Sequence, residues 1–215
     1  MTQYFSSQSG VTIVQDMADI IIANRNYLSE IDGAIGDGDH GINMAKGFSI
    51  CKEKIAGQEM TLDKALDQLS DTLMEGIGGS MGPLYGSLFF GWAEGIKGKE
   101  KITAQDFARM LQKGLDELRE ISDAQQGDKC LMDALIPAVE TFSHAVTQGK
   151  TFQKALEEMK KAAESGRDST KDMVAKIGRA SRLGERSRGV LDAGAASCCL
   201  LLGQLAESID RQLHL

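Results

Sequence analysis

Three aspartates and a histidine stand close together near the start of the chain, with glycines between them. Asp37 and Asp39 are two residues apart, and Asp32 precedes Asp37 by five residues. Carboxylates at this spacing repel one another and raise each other's pKa unless a cation neutralises them. Mg²⁺ and Ca²⁺ prefer carboxylate oxygens, and the glycines let the backbone fold tightly around an ion. The segment therefore predicts a divalent metal site next to a phosphate.

The acidic loop, residues 32–41, also has simpler interpretations. Asp37 or Asp39 could cap the following helix, where a carboxylate is favourable, but capping does not explain all three carboxylates. A calcium sensor of the EF-hand type is disfavoured, because no glutamate closes the loop at the required position. His40 could act as a general base or hydrogen-bond a phosphate. The adjacent carboxylates disfavour a covalent phosphohistidine.

Two further loops carry residues that could bind phosphate. The glycine loop, residues 76–82, precedes a predicted helix, whose first N–H groups attract anions. It matches neither a Walker A loop nor a dinucleotide fingerprint, and a plain helix–helix turn explains it better when it is taken alone. The lysine loop, residues 123–129, ends in Lys129, a candidate point charge for a phosphate. An exposed lysine without a role explains Lys129 equally well.

The arginine loop, residues 178–194, concentrates positive charge in a chain whose net charge is −7. Within ten residues it carries Arg179, Arg182, Arg186 and Arg188. Arginine binds phosphates through a planar fork of donors, so the loop indicates phosphate recognition or a docking surface. A solvated loop is an equally good interpretation.

The rest of the chain predicts a helical scaffold for these loops. Apolar residues recur at helical spacing, only two prolines occur, and no segment forms a convincing strand. The pattern predicts eight helices in a single all-α domain over residues 1–215. The predicted helices cover approximately residues 10–30, 43–55, 62–76, 83–92, 104–118, 135–142, 152–174 and 195–213.

The order of helices and loops predicts that the candidate residues meet. The acidic, glycine, lysine and arginine loops follow the first, third, fifth and seventh predicted helices. In an antiparallel bundle, connections that follow odd-numbered helices share one end. The sequence therefore predicts one site built from four separate segments.

Composition excludes several classes of protein. The net charge of −7 argues against a nucleic-acid-binding protein, which normally carries a basic stripe. The longest apolar run, residues 193–202, is too short to span a bilayer, and no signal-peptide pattern opens the chain. The four cysteines form no CxxC pair, which is typical of buried free thiols in a reducing cytoplasm. We therefore expect a cytoplasmic protein without a membrane partner.

Together the four loops resemble the nucleotide-binding L subunit of bacterial dihydroxyacetone kinases. The likeness covers nearly the whole chain in the right order, and its first and last stretches are long. Related fatty-acid kinase domains have threonine where His40 stands and fit less well. The matching stretches are Ile35–Met44, Gly78–Gly86, Gly127–Lys129, Gly178–Ser187 and Asp192–Gly194.

The resemblance implies an eight-helix antiparallel up-and-down barrel with a nucleotide site at one end. It implies two Mg²⁺ ions that are held by Asp32, Asp37 and Asp39 and bridge the phosphates of ADP or ATP. It assigns catalysis to these carboxylates and Arg179. The implied nucleotide contacts are His40, Ile42, Asn43, Gly79, Ser80, Met81, Leu131, Arg179, Asp192, Ala193 and Gly194.

The same resemblance implies a phosphotransferase that needs a partner. A separate K subunit would hold a short-chain ketose and receive the phosphoryl group, giving dihydroxyacetone phosphate if the ketose is dihydroxyacetone. Either ATP reacts and leaves as ADP, or bound ADP is rephosphorylated by a phosphohistidine of a phosphotransferase-system subunit. The sequence separates neither these donors nor the ketose. Alternatively, the chain is a regulatory module that senses nucleotide state and docks on a transcription factor through the arginine loop.

Four positions depart from the pattern that this family usually shows. Met81 stands where serine is usual, and the hydroxyl of Ser80 can compensate. Cys130 and Leu131 stand where Thr-Met is common, and Ala193 stands where proline is common. These departures bear on nucleotide affinity and substrate class rather than on the type of reaction.

Overall fold

The computed structural model describes residues 2–214, which form an all-α fold apart from one small sheet. Antiparallel strands β1 (Tyr4–Ser6) and β2 (Lys101–Thr103) make up that sheet, and short 3₁₀ helices cover Ser7–Ser9, Thr170–Asp172 and Arg179–Ser187. The α-helices of the described residues are α1 (Gly10–Ala23), α2 (Arg25–Ile35), α3 (His40–Ile55), α4 (Leu62–Gly76), α5 (Met81–Gly95), α6 (Ala104–Ile121), α7 (Met132–Thr147), α8 (Phe152–Ser169) and α9 (Ala193–Asp210).

Two sequence predictions about these elements were wrong. The first predicted helix is interrupted at Asn24, whose side-chain Nδ2 donates to the carbonyl oxygen of Ile20 at 2.8 Å. Asparagine competes in this way with the helical backbone, and a second helix follows at once. The strands β1 and β2 were missed because three residues are too short to show an alternating pattern.

Side chains explain where the last two helices differ from prediction. α8 ends at Ser169 rather than near residue 174, because the Ser169 and Thr170 hydroxyls each donate at 2.6 Å to a carbonyl three residues earlier. α9 begins at Ala193, since Asp192 is its N-cap and its Oδ2 accepts the N–H of Ala195 at 2.7 Å.

The helices pack as a closed ring that largely follows chain order. From α3 onwards each helix contacts the next one, and α9 returns to pack against α1 and α2. α1 also contacts α3 and α4. A one-residue break is too short to reverse the chain, so α1 and α2 together count as one passage along the ring. The connections therefore alternate between two ends.

The N-terminal segment marks one end of the ring. β1 pairs with β2 in the α5–α6 connection. Ser7 Oγ accepts the N–H of Leu62 at the start of α4 (3.1 Å), and Gln3 Oε1 accepts the N–H of Phe152 at the start of α8 (2.8 Å). The acidic, glycine, lysine and arginine loops follow α2, α4, α6 and α8, so they lie at the opposite end.

The interior of the ring is filled by apolar side chains. The ring centroids of Phe89 and Trp92 are 5.2 Å apart in an edge-on pair, and those of Phe107 and Phe142 are 4.9 Å apart. Such aromatic pairs stabilise the core beyond the effect of burying their large apolar area. Across residues 2–214, none of the helices has the length and apolar character required to cross a bilayer.

Gly166 allows α8 to approach the start of α7, because a Cβ at this position would overlap the carbonyl oxygen of Asp133. We expect Gly166→Ala to lower the free energy of unfolding by about 1–3 kcal/mol through overpacking. Gly203 in α9 is the matched control, since its nearest neighbour would lie 3.9 Å away. Gly203→Ala should stabilise by about 0.5–1 kcal/mol. Urea denaturation measures both changes, and equal stabilities of the two variants would contradict the packing.

Burial raises the pKa of the Asp192 carboxyl from 3.8 to about 7. The native state then binds more protons than the unfolded chain between about pH 4 and 7, so the carboxyl destabilises the fold as pH rises through that range. Asparagine caps helices equally well but does not titrate. We expect Asp192→Asn to gain stability relative to wild type from pH 4 to 8 in urea denaturation. A stability difference that does not change with pH would refute this expectation.

Candidate functional site

The four loops line one cavity of about 240 Å³ at the end of the ring predicted for them. Of the predicted site residues, Ile42 does not line the cavity; it is 47% exposed on the first turn of α3. The others do: Asp32, Asp37, Asp39, His40, Asn43, Gly79, Ser80, Met81, Leu131, Arg179, Asp192, Ala193 and Gly194.

Close packing of α2 against α3 shapes the acidic loop. A Cβ at Gly41 would overlap the carbonyl oxygen of Arg25, so only glycine permits this approach. Gly38 turns the chain with a φ of +78°. Across the turn, Asp32 Oδ2 accepts the N–H of His40 at 3.2 Å. α3 therefore begins at His40, three residues earlier than the sequence predicts.

The turn after α2 brings the three predicted carboxylates together. Asp32 lies in the last turn of α2, which ends at Ile35 rather than near residue 30 as the sequence predicts. One oxygen each from Asp32, Asp37 and Asp39 lies within 4.8 Å of the other two. Asp39 is the N-cap residue of α3, but its side chain makes no capping hydrogen bond. Capping therefore does not occupy this carboxylate. The donors are hard oxygens that solvent can reach, as Mg²⁺ requires.

An ion pair joins the acidic loop to the arginine loop. The guanidinium of Arg179 contacts the carboxylate of Asp37. Their side chains are 64% and 40% exposed, so the pair contributes little to stability. It does offset part of the local negative charge, and it holds a cationic donor at the cavity.

The glycine loop presents the N-terminus of α5. Gly79 adopts a φ of +74°, and a Cβ at Gly82 would lie 2.7 Å from the carbonyl oxygen of Leu73. This approach brings the start of α5 against the end of α4. The first N–H groups of a helix lack acceptors within it, so those of Met81 and Gly82 can bind an anion.

The lysine loop is ordered by the helix that follows it. Asp133, at the start of α7, accepts the N–H of Cys130 at 2.8 Å and leaves Leu131 at the cavity wall. Lys129 is only 2% exposed, and its ammonium donates to main-chain carbonyl oxygens. Lys129 borders the cavity but is buried, so the alternative interpretation as an exposed lysine is wrong. The phosphate contact stays a prediction, and the bonds to carbonyl oxygens disfavour it.

A buried network below the cavity holds His40. Its Nε2 lies 2.9 Å from Ser197 Oγ, which lies 2.7 Å from the hydroxyl of Tyr85. Burial lowers the pKa of His40 to about 4, although the charge of Asp32 opposes this shift. The imidazole is therefore neutral at pH 7 and fixed through Nε2. Sequence reasoning gave no role to Ser197, which stands singly in an apolar helix, or to Tyr85, although Tyr85 lies in the matching stretch Gly78–Gly86.

Part of the cavity lining is apolar. Leu84 and Ala193 line it beside Cys130 and Leu131. Burial raises the pKa of the Cys130 thiol to about 12, so it stays protonated and is not a nucleophile. The cysteines of the described residues are all free, as the sequence predicts.

A second depression, of about 420 Å³, lies at the other end of the ring. It is open, and Tyr4, Lys101 and His214 contribute to its lining. The rings of Tyr4 and His214 are tilted by 40° with their centroids 5.6 Å apart, and the two residues exchange main-chain hydrogen bonds. This depression lacks a carboxylate cluster and a helix N-terminus, so the chemistry assigns function to the smaller cavity.

Sequence comparison relates the chain to known proteins. A family model described as the DAK2 domain matches residues 34–207. The ADP-binding subunit DhaL of the PEP-dependent dihydroxyacetone kinase from Escherichia coli (strain K12) is 36% identical over 189 residues, which cover 87% of this chain and 90% of that protein. The corresponding subunit of kinase 2 from Listeria innocua serovar 6a is 34% identical over 206 residues, 93% of each chain.

A solved structure shares the fold. The dihydroxyacetone kinase from C. freundii in complex with AMP-PNP and Mg²⁺ superposes with a TM-score of 0.69 and 21% sequence identity. The match covers 97% of this chain and 35% of that one. The fold, the four cavity loops and the sequence matches agree, and the chain therefore belongs to the DAK2 domain family that includes the DhaL subunits of dihydroxyacetone kinases.

Proposed function

We propose that this chain is the nucleotide-binding subunit of a dihydroxyacetone kinase, or of a kinase for a related short-chain ketose. The observation that carries this proposal is the convergence of four loops on one cavity, with clustered carboxylates on one side and an arginine beside them. The relatives named above are ADP-binding subunits of such kinases. The function is phosphoryl transfer from a Mg-nucleotide, by a single domain that spans residues 1–215.

The carboxylates of Asp32, Asp37 and Asp39 fit a metal site, because their oxygens are close together, Asp37 and Asp39 are exposed, and Asp39 makes no capping hydrogen bond. We assign them two Mg²⁺ ions, as the family resemblance implies. When bound, Mg²⁺ would neutralise charge on the nucleotide phosphates. The residues themselves supply preorganised oxygen ligands.

The nucleotide phosphates would lie between the acidic and glycine loops. The N–H groups at the start of α5 donate to phosphate oxygens, and Ser80 and Gly79 shape the turn before them. When nucleotide binds, the guanidinium of Arg179 would leave Asp37 and pair with the phosphates instead. Catalysis then depends on position and electrostatics, which suits the loose transition state of phosphoryl transfer.

The remaining contacts would hold the nucleoside. Met81, Leu131 and Ala193 provide apolar surface for a base, and Asp192 and Gly194 lie at the start of α9 beside it. His40 is neutral and fixed through Nε2, so its Nδ1 is left for the ligand. Asn43 follows one turn later in α3, and we place Ile42 at the rim.

The acceptor would be held by a separate K subunit that docks at the open end of the cavity. The chain supplies the donor site, so the choice of ketose belongs to that partner. A phosphohistidine of a phosphotransferase-system subunit would regenerate the donor, because the relatives are named as PEP-dependent. The free thiols of the described residues fit a reducing cytoplasm.

Asp37→Ala should weaken Mg-ADP binding by about 100-fold, since it removes a metal ligand whose neighbours cannot replace it. Isothermal titration measures the affinity, and unchanged helical circular dichroism shows that the fold is retained. Asp19→Ala is the matched control, because Asp19 is an exposed aspartate that pairs with Lys52 away from the cavity. Undiminished Mg-ADP affinity in Asp37→Ala would refute the metal assignment.

The purified protein should retain near-stoichiometric ADP through extended dialysis in Mg²⁺ buffer, if ADP is a resident cofactor. Chromatography of the acid-released nucleotide measures this directly. Addition of the K subunit, a ketose and the phosphohistidine carrier should then give turnover without added ATP. Rapid loss of ADP together with ATP-dependent turnover would reverse the donor assignment. Absence of turnover with every short-chain ketose, with tight binding to a transcription factor, would favour the regulatory alternative.

A further inference from the structure

Lys129 is a buried charge that the proposed phosphate chemistry does not use. Its residue is 2% exposed, and its backbone has a φ of +65°. Residues other than glycine rarely adopt this left-handed backbone conformation. A buried ammonium group costs free energy unless it is paired and hydrogen-bonded. Both features cost free energy, so the interactions of this lysine must offset that cost.

The ammonium of Lys129 is satisfied by main-chain oxygens. It donates to the carbonyls of Met173 (3.2 Å), Ser187 (2.6 Å) and Val190 (2.7 Å). A lysine has three N–H donors, so these bonds use its full capacity. A phosphate could take the ammonium only by displacing one of these carbonyls.

The three carbonyls lie on the two sides of one loop. Met173 comes shortly before the arginine loop begins, and Ser187 and Val190 come shortly before α9. The ammonium therefore closes the arginine loop at its base. Arg179 lies in the closed part, between Met173 and Ser187. Closing a loop lowers the conformational freedom of the residues inside it.

Other hydrogen bonds join the same base. The N–H of Lys176 donates to the carbonyl oxygen of Asp128 (3.1 Å), and that of Ala175 donates to Ser187 Oγ (2.9 Å). The N–H of Gly189 donates to the carbonyl oxygen of Lys171 (2.8 Å). The bonds of Ala175 and Gly189 join the two sides of the arginine loop, and the bond of Lys176 joins its first side to the lysine loop, next to Lys129.

We propose that Lys129 is a positioning residue of the nucleotide site, whose ammonium clamps the base of the arginine loop so that Arg179 and the start of α9 face the ligand. It acts through these elements and does not touch the nucleotide. The inference rests on the proposed function for its effect on nucleotide binding. The clamp itself is a property of the ligand-free protein, and it can be measured there.

The test compares Lys129→Met with Lys129→Gln, which keeps two N–H donors but no charge. Lys176→Met is the matched control, because Lys176 is an exposed lysine in the same region that pairs with Asp128. Hydrogen exchange in the ligand-free proteins reports on the amides of Ala175, Lys176 and Gly189. Calorimetry measures the affinity for Mg-ADP, and electron paramagnetic resonance measures the affinity for Mn²⁺ alone.

We expect Lys129→Met to speed exchange at these amides and to weaken Mg-ADP binding by about 10- to 100-fold, as for a misplaced binding group. Lys129→Gln should show a smaller effect of both kinds, and the Lys176→Met control neither. Affinity for Mn²⁺ alone should be unchanged, because its ligands lie on a different loop. If Lys129→Met does not fold, the comparison of Lys129→Gln with Lys176→Met decides the question.

Two results would overturn the clamp. Unchanged exchange with weakened Mg-ADP binding would indicate that Lys129 contacts phosphate directly. Faster exchange with unchanged Mg-ADP affinity would show that the clamp does not position the site. If wild type binds Mg-ADP and the variants bind it equally, only this inference fails. If wild type binds no Mg-ADP, the proposed function and the positioning role fail together.

Discussion

Repulsion between three carboxylates is the constraint on which the candidate site depends. Asp32, Asp37 and Asp39 hold oxygens within 4.8 Å of one another, and the fold must supply the free energy for this arrangement. It does so through the glycine contact between α2 and α3 and through the bond from the His40 N–H to Asp32. The cost of collecting the charges is met during folding, so it does not reduce the affinity for a cation.

The positive charge of the site comes from a different loop, and its side chain is exposed at the cavity. Arg179 is the first residue of the 3₁₀ helix Arg179–Ser187, and its partner Asp37 is exposed. Such a group can exchange one anionic partner for another at small cost. The His40–Ser197–Tyr85 network joins α3, α9 and α5, so buried hydrogen bonds tie these three helices together next to the cavity.

Much of this site could be predicted from the sequence because its chemistry lies in short motifs. The carboxylate spacing, the glycines and the arginines are local patterns, and helix parity brings them together even though the first helix is broken at Asn24. The remaining features depend on contacts distant in sequence. Nothing near Ser197 indicates that it meets His40, and nothing near Lys129 indicates that its ammonium turns inward to carbonyls 44 to 61 residues away.

The strands were not predictable for a related reason. Three residues carry no periodicity, and the pairing of Phe5 with Ile102 joins distant parts of the chain. Helices are stabilised by neighbours three and four positions along the chain, so their presence and approximate position were predicted more closely. Their first and last residues were not, because single hydroxyl and amide side chains decide where a helix ends.

The pairing of Tyr4 with His214 has a practical consequence. It fixes both terminal regions on the side of the molecule that faces away from the cavity. An affinity handle or a covalent tether attached near either of these residues would leave the cavity mouth open to solution. The protein can therefore be immobilised on a sensor surface at either end, with its nucleotide cavity directed towards the flowing sample.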